Sequence, residues 1–218
     1  MTFDMLKRFG KKTIEDWEEP IPEFENVSSV IRNRRSVRKY LKKEVSDDLI
    51  RQILENAAYA PSCGNLQPWE FIVVKDPKIK KDLAEAAYNQ EWMLDAPVLI
   101  VACTNNRLAG AVYGERGLKL YGIQAVAAAI QNILLTARSL GLGTAWVGAF
   151  SEIRVATILQ CPDYVRPSAI ITMGYPAEEP SMPPRQPMDE YVHKEVFGKT
   201  MQLEKVEKEK KPYHMKFR

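Results

Sequence analysis

The stretch LKLYGIQAVAAAIQNILLTARSL, residues 118–140, decides how the rest of this chain must be arranged. Its apolar residues, among them Leu120, Ile123, Val126, Ala127, Ile130, Ile133 and Leu134, recur at helical spacing yet cover nearly the whole circumference. A helix that is apolar all round is expected to be buried all round. In a chain of 218 residues, that sends it through the core or into a subunit interface. Gly141 and Gly143 stop it.

Outward from this helix, PVLIVAC (97–103) is an unbroken apolar run of strand length, the pattern of a central strand covered on both faces. EFIVV (70–74), a short β-prone piece at 144–147 and SAIITM (168–173) read as further strands. Helices are expected at 26–33, 46–59, 77–88 and from Ser151 to about residue 160. The second of these opens on Ser46 as N-cap with Asp47 and Asp48 behind it, and ends before Pro61. Prolines at 176, 180, 183, 184 and 187 mark a coil-like stretch. Helices and strands interleave without a repeated βαβ unit, which reads as α+β or mixed α/β. The expected layout is an arm at 1–23, one domain at 24–200 and a charged tail at 201–218.

Thirty-one basic against 28 acidic side chains leave a net charge of +3, too little for a global field that gathers nucleic acid. Cys63, Cys103 and Cys161 are odd in number and widely spaced, which suits reduced thiols in a cytoplasm. No secretory leader pattern and no run of about 18 apolar residues stands out, so no membrane partner is expected. His193 and His214 are the only histidines and lack cysteine or histidine at ligand spacing, so no metal is expected.

Against this modest total, one region concentrates positive charge. IRNRRSVRKY (31–40) holds four arginines and a lysine, and Lys42 and Lys43 follow before the first acid. A solvated surface segment would look similar. Arginine outnumbers lysine, however, and Ser36 and Tyr40 add hydroxyls; planar guanidinium forks with neutral donors suit one phosphorylated small ligand. A nucleic-acid face would need stacking aromatics, and none lies nearby. The second stretch, APSCGNLQPWEF (60–71), is an ordered turn whose Ser62, Asn65 and Gln67 suit the edge of a flat heterocycle, with Trp69 as anchor. A plain helix-to-strand connection is the alternative. The third, GLGTAWVGAF (141–150), runs from helix to strand, the reverse of a dinucleotide fingerprint; its glycines let backbone approach a ligand closely.

Taken in this order, RRSVRKY, APSCGNLQPW and GLGTAWVG resemble the nitroreductase family of FMN-dependent oxidoreductases, over about residues 27–197. The resemblance implies an α+β three-layer sandwich, a mostly antiparallel sheet flanked by helices, in a homodimer with swapped terminal arms. It implies that Arg34, Arg35, Ser36 and Arg38 reach the phosphate, ribityl chain and pyrimidine edge of FMN. Pro61, Ser62, Cys63 and Asn65 match a loop that the partner subunit lends to the flavin. Asn89 matches an amide at the pyrimidine edge, Val147 and Gly148 the backbone near N5 and O4, and Arg185 a late phosphate arginine. Two positions depart from the family pattern: Pro183 and Trp92 stand where many or some members have lysine.

The implied activity takes hydride from NADH or NADPH onto FMN and passes two electrons to a small acceptor (a nitroaromatic, quinone or flavin) by a ping-pong cycle. Flavin N5 would carry the chemistry, so no catalytic side chain is expected; Arg38 would face the charge near N1. The alternatives are a specialised member, such as a reductive dehalogenase or a flavin-cleaving enzyme with a lid within about 88–117, or a flavin- or RNA-binding protein without turnover.

Overall fold

Strand β2 (Val98–Asn105) is buried along its whole length and lies inside a four-stranded sheet with β1 (Trp69–Val74), β3 (Gly143–Val147) and β4 (Val165–Gly174). The order is β1-β2-β4-β3, and all three ladders are antiparallel. This computed structural model describes residues 26–201; the expected arm at 1–23, the tail beyond Met201 and His214 lie outside them. The described chain divides after Ser181 into two compact units, of which the first holds the sheet.

Side chains of β2 alternate between two cores. Val98, Ile100 and Ala102 pack with Ile53 of α2 (Asp47–Ala57) and with Val126, Ile130 and Ile133 of α5 (Gly122–Ser139). Leu99, Val101 and Cys103 pack with Leu83 of α3 (Pro77–Ala86) and Val155 of α6 (Glu152–Ile158). A strand with apolar residues on both faces needs a helical layer on each, and this accounts for the α/β/α sandwich. Ser46 caps α2 through its hydroxyl, which accepts from the Leu49 amide at 3.4 Å. Pro167 falls in β4 where β3 no longer reaches, opposite the irregularity between Ala102 and Cys103, a position that tolerates a missing N–H.

The deciding helix departs from expectation in two ways. It continues upstream as α4 (Asn106–Arg116), joined to α5 by a π-helical turn, Gly117–Tyr121, where a strand connection had no helical signal. Gly114 (φ 54°, ψ −138°) breaks α4, a conformation for which glycine is suited. Nor is the helix buried all round within this chain: Leu118 is 40% and Ile123 38% exposed, while Val126, Ile130 and Ile133 are buried. The composition of 118–140 reports two apolar faces, and one chain covers only one. Among the described residues Asn106–Ser139 is the one helical run long and apolar enough to cross a membrane, and 44% of its most apolar window is buried in the fold. The break at Gly114 and the packing against β2 make it the core helix of the sandwich.

Residues 182–201 are the described part of the second unit. Its features are a 3-10 turn at Met188–Glu190, a bridge between His193 and Thr200, and an edge-on contact of His193 with Phe197.

Candidate functional site

The arginine-rich stretch follows α1 (Val27–Asn33), whose N-cap Asn26 accepts from the Ser29 amide at 2.9 Å. Val30 docks that helix, and the chain leaves it extended at Arg34 (φ −62°, ψ 131°). Residues 36–41 are then stitched to the end of the sheet. Ser36 bridges Thr144 in parallel sense, and the Val37 amide donates to the Thr144 carbonyl at 2.9 Å. The Leu41 amide donates to the Tyr175 carbonyl, and Ala177 donates back to the Lys39 carbonyl, both at 2.9 Å. The Glu178 carboxylate accepts from the amides of Arg38 (2.7 Å) and Lys39 (3.2 Å). A segment fixed at this many backbone points presents its side chains in a set order.

Tyr40 supplies the inward anchor. It is buried, and its phenol oxygen lies 2.5 Å from the Val37 carbonyl and 2.6 Å from the Thr172 hydroxyl. A carbonyl can only accept, so the phenol donates to Val37 and the Thr172 hydroxyl donates to the phenol. Burial pushes the Tyr40 pKa well above the ordinary phenol range. The expectation that this hydroxyl joins the arginines on a ligand is therefore corrected: its hydrogen-bonding capacity is spent in the core. Ser36, by contrast, is exposed.

Arg34 and Arg35 line a cavity of about 270 Å³ with Arg138, Val37, Gly143 and Thr144, rimmed by Glu178 and Glu179. This lies below the roughly 300–1,000 Å³ of whole small-molecule clefts, a size for one end of a ligand. Nη1 of Arg35 donates to the carbonyls of Arg32 (2.5 Å) and Arg34 (2.8 Å), which fixes its plane. Gly143 is required beside Val37, because an added Cβ would lie 2.9 Å from the Val37 side chain.

Arg38 turns the other way, its guanidinium carbon 5.4 Å from the ring centre of Trp92. Trp92 follows a turn in which Tyr88 and Asn89 both adopt positive φ (58° and 59°). Such backbone is uncommon outside glycine and asparagine and is held by its surroundings. The Gln90 side chain donates to the carbonyls of Ala87 (3.0 Å) and Ala149 (3.1 Å), so it ties this turn to the loop after β3. Gln90 thus joins the turn of exposed Asn89 to the loop that follows Val147 and Gly148, and Trp92 two residues on meets Arg38. Val147 is buried and pairs with Ile170; Gly148 is exposed.

The turn after α2 is built as a rigid loop. The Ser62 hydroxyl accepts from the Gln67 amide at 3.0 Å, and Gly64, Asn65 and Gln67 all have positive φ (54°, 56° and 50°). It packs beside α4, where a Cβ on Gly64 would meet the Tyr113 hydroxyl at 2.6 Å. Pro61, Ser62, Cys63 and Asn65 do not line the arginine cavity of this chain. Arg185 belongs to the second unit, where Nη1 lies 3.4 Å from the Pro183 and 3.3 Å from the Pro184 carbonyl. Among the described residues no group of three or more His, Cys, Asp or Glu gathers to hold a metal ion.

Several residues at this end carried no legible signal. Arg138 reads as an ordinary basic residue in the last turn of a helix, and Glu178 as one acid in a proline-rich coil. Gln90 had only its adjacency to Asn89.

Such an arrangement can grip a phosphate monoester with guanidinium forks and present backbone and amide groups to a flat ring. Comparison with known proteins gives the family. The chain matches the model of the Nitroreductase family over residues 31–90 and 85–175. It is 38% identical over 159 residues to a protein of Methanothermobacter thermautotrophicus named a putative NADH dehydrogenase/NAD(P)H nitroreductase, covering 71% of this chain and 80% of that one. It is 31% identical to the FMN reductase [NAD(P)H] of Bacillus subtilis, covering 76% of this chain and 72% of the relative. In structure it is similar to the NADPH:FMN oxidoreductase of Vibrio harveyi complexed with NAD+ (TM-score 0.74, 26% identity, 81% of this chain and 80% of that one).

Proposed function

The chain belongs to the nitroreductase family, and we propose that it binds FMN and serves as an NAD(P)H-dependent flavin oxidoreductase delivering two electrons to a small acceptor. The observation that carries this is the stitched segment 36–41 at the end of the sheet. It holds Arg34 and Arg35 on a cavity of about 270 Å³ and Arg38 against Trp92 after the 88–89 turn.

The donor set fits the cofactor. Arg34, Arg35 and Ser36 would hold the phosphate and ribityl chain. Asn89 and the Val147–Gly148 backbone would orient the ring, and Arg38, steadied on Trp92, would face its anionic edge. When bound, FMN supplies the redox chemistry. The chain's part is to bind it, orient it and leave one face accessible, which needs no acid or base among its side chains.

We further propose a cytoplasmic homodimer. Exposed Leu118 and Ile123 on the core helix would meet a second copy, and Pro61, Ser62, Cys63 and Asn65 would reach the partner's flavin. All three cysteines are free, which suits a reducing compartment. The domain would run over 24–200 with an arm before it and a tail after it.

The test is direct. The purified protein is expected to be yellow, to release FMN on heating, and to bleach anaerobically with NADH or NADPH. Parallel double-reciprocal plots at varied acceptor are expected for ping-pong turnover. Released FAD, or no flavin uptake from added FMN, would overturn the reading.

A further inference from the structure

We infer that Trp92 is a positioning residue that acts through Arg38: its ring holds the guanidinium in one place, and the fixed cation sets the reduction potential of the bound flavin. The inference rests on the flavin reading above. Trp92 stands where some family members carry lysine, so the pair belongs to this chain and not to the family pattern.

Arg38 is fixed at its root and exposed at its tip. Its backbone amide donates to the Glu178 carboxylate at 2.7 Å, and the Val37 amide before it donates to the Thr144 carbonyl at 2.9 Å. Among the described residues no carboxylate forms a salt bridge with its guanidinium. A long exposed arginine left to itself samples many rotamers. Here the guanidinium carbon lies 5.4 Å from the centre of the Trp92 ring, within cation–π reach. A ring steadies a cation without neutralising it, so the whole charge remains for a ligand.

An arginine stem laid on an aromatic surface is the plain alternative, since it hides apolar area and nothing more. The anchoring of Trp92 argues for placement. The ring is half-buried against the cluster that holds Val37, Met93, Val147 and Phe150. Its backbone lies in the 3-10 turn Glu91–Asp95, entered through the positive φ of Tyr88 and Asn89 and braced by the Gln90 side chain to the Ala149 carbonyl at 3.1 Å. Arg38, Asn89 and the loop after β3 are thereby joined mechanically. A reduced flavin gains negative charge near N1, and a cation held there favours the reduced form more than one that wanders in water.

The experiment measures the two-electron midpoint potential of FMN bound to the holoenzyme, anaerobically against a reference dye. The proteins are wild type, Trp92→Leu, Trp92→Phe, Arg38→Met and the double variant Trp92→Leu/Arg38→Met. Trp92→Leu is expected to move the reduced-to-oxidised ratio about two- to fivefold toward the oxidised form, roughly 10–20 mV more negative. Trp92→Phe keeps a weaker ring face and is expected to fall between; it carries the test by itself where the leucine variant does not fold. In the Arg38→Met background the leucine substitution is expected to add nothing. An unchanged potential in the Trp92 variants, or an equal shift with and without Arg38, would overturn the inference and leave Trp92 as a cover for the core. Wild type that takes up no FMN would instead overturn the cofactor reading on which the inference rests.

Discussion

Replacing Tyr40 by phenylalanine removes one oxygen that joins two parts of the molecule. That oxygen donates to the Val37 carbonyl at 2.5 Å and accepts from Thr172 at 2.6 Å, so it ties the arginine segment to the middle of β4. Both partners are buried, Val37 at 5% and Thr172 at 0% exposure, and water does not replace the lost contacts. Leaving a buried partner unsatisfied costs about 1–3 kcal/mol, part of which is recovered because the phenol no longer has to be desolvated. We expect a net loss of about 2 kcal/mol in Tyr40→Phe, which for a chain of this size lowers Tm by roughly 4–8 °C. Thr172→Val should cost less, about 1 kcal/mol, because the phenol keeps its bond to Val37. The double variant should then be less destabilised than the sum of the two by roughly 1 kcal/mol. Thermal unfolding followed by circular dichroism on all four proteins measures the cycle. Costs that add within about 0.3 kcal/mol would show that the two hydroxyls are not coupled and that Tyr40 holds its segment by packing alone.

Other outcomes follow from the same contacts. The raised Tyr40 pKa means that its stabilisation is present below the ordinary phenol pKa of about 10 and is lost as pH rises through the higher folded value; an alkaline stability profile should fall less steeply in Tyr40→Phe than in wild type. Gly143→Ala drives a Cβ to 2.9 Å from the Val37 side chain, and we expect about 1–3 kcal/mol of destabilisation in chemical unfolding, with partial recovery in the double variant Gly143→Ala/Val37→Ala. The Arg166 guanidinium, paired in bidentate fashion with Glu152 at 2.8 Å, holds that carboxyl below its usual range. Its stability contribution is therefore present above the ordinary Glu pKa and lost as pH falls through the depressed value; with both side chains over 40% exposed the effect is small, and Arg166→Met should flatten the acid limb only slightly. Gly64→Ala combines a positive φ with a contact at 2.6 Å from the Tyr113 hydroxyl, so its unfolding midpoint should fall by more than that of Gly141→Ala, whose Cβ meets nothing within 4 Å.

The sheet was readable because its strands are chemically unambiguous: PVLIVAC can only be a covered strand, and Ser46 and Ser151 stand where helices begin. Helix 118–140 was readable in position but not in extent. Residues 106–116 carry Arg107, Gly110, Gly114 and Glu115 among weak apolar spacing, and their helix is completed by packing against the neighbouring π-turn, which local pattern does not encode. The arginine segment announced itself through charge. What held it did not, since Thr144, Thr172 and Glu178 contact it from positions more than 100 residues away in sequence. Tyr40 shows the limit most plainly. Its hydroxyl among cations reads as a ligand contact, and only the three-dimensional neighbourhood reveals that it points inward.

Strand β3 ends the sheet on one side, and an end strand offers unpaired backbone groups to any extended chain that arrives. Here Ser36 and Val37 occupy that rim at Thr144. The segment that carries the arginines is thereby also a cover over that edge. Peeling that cover away would expose a template for strand addition, so displacement of the arginine segment and onset of aggregation would share one event. Light scattering on Tyr40→Phe, warmed to temperatures at which wild type stays clear, would register that event as turbidity preceding the loss of helical signal.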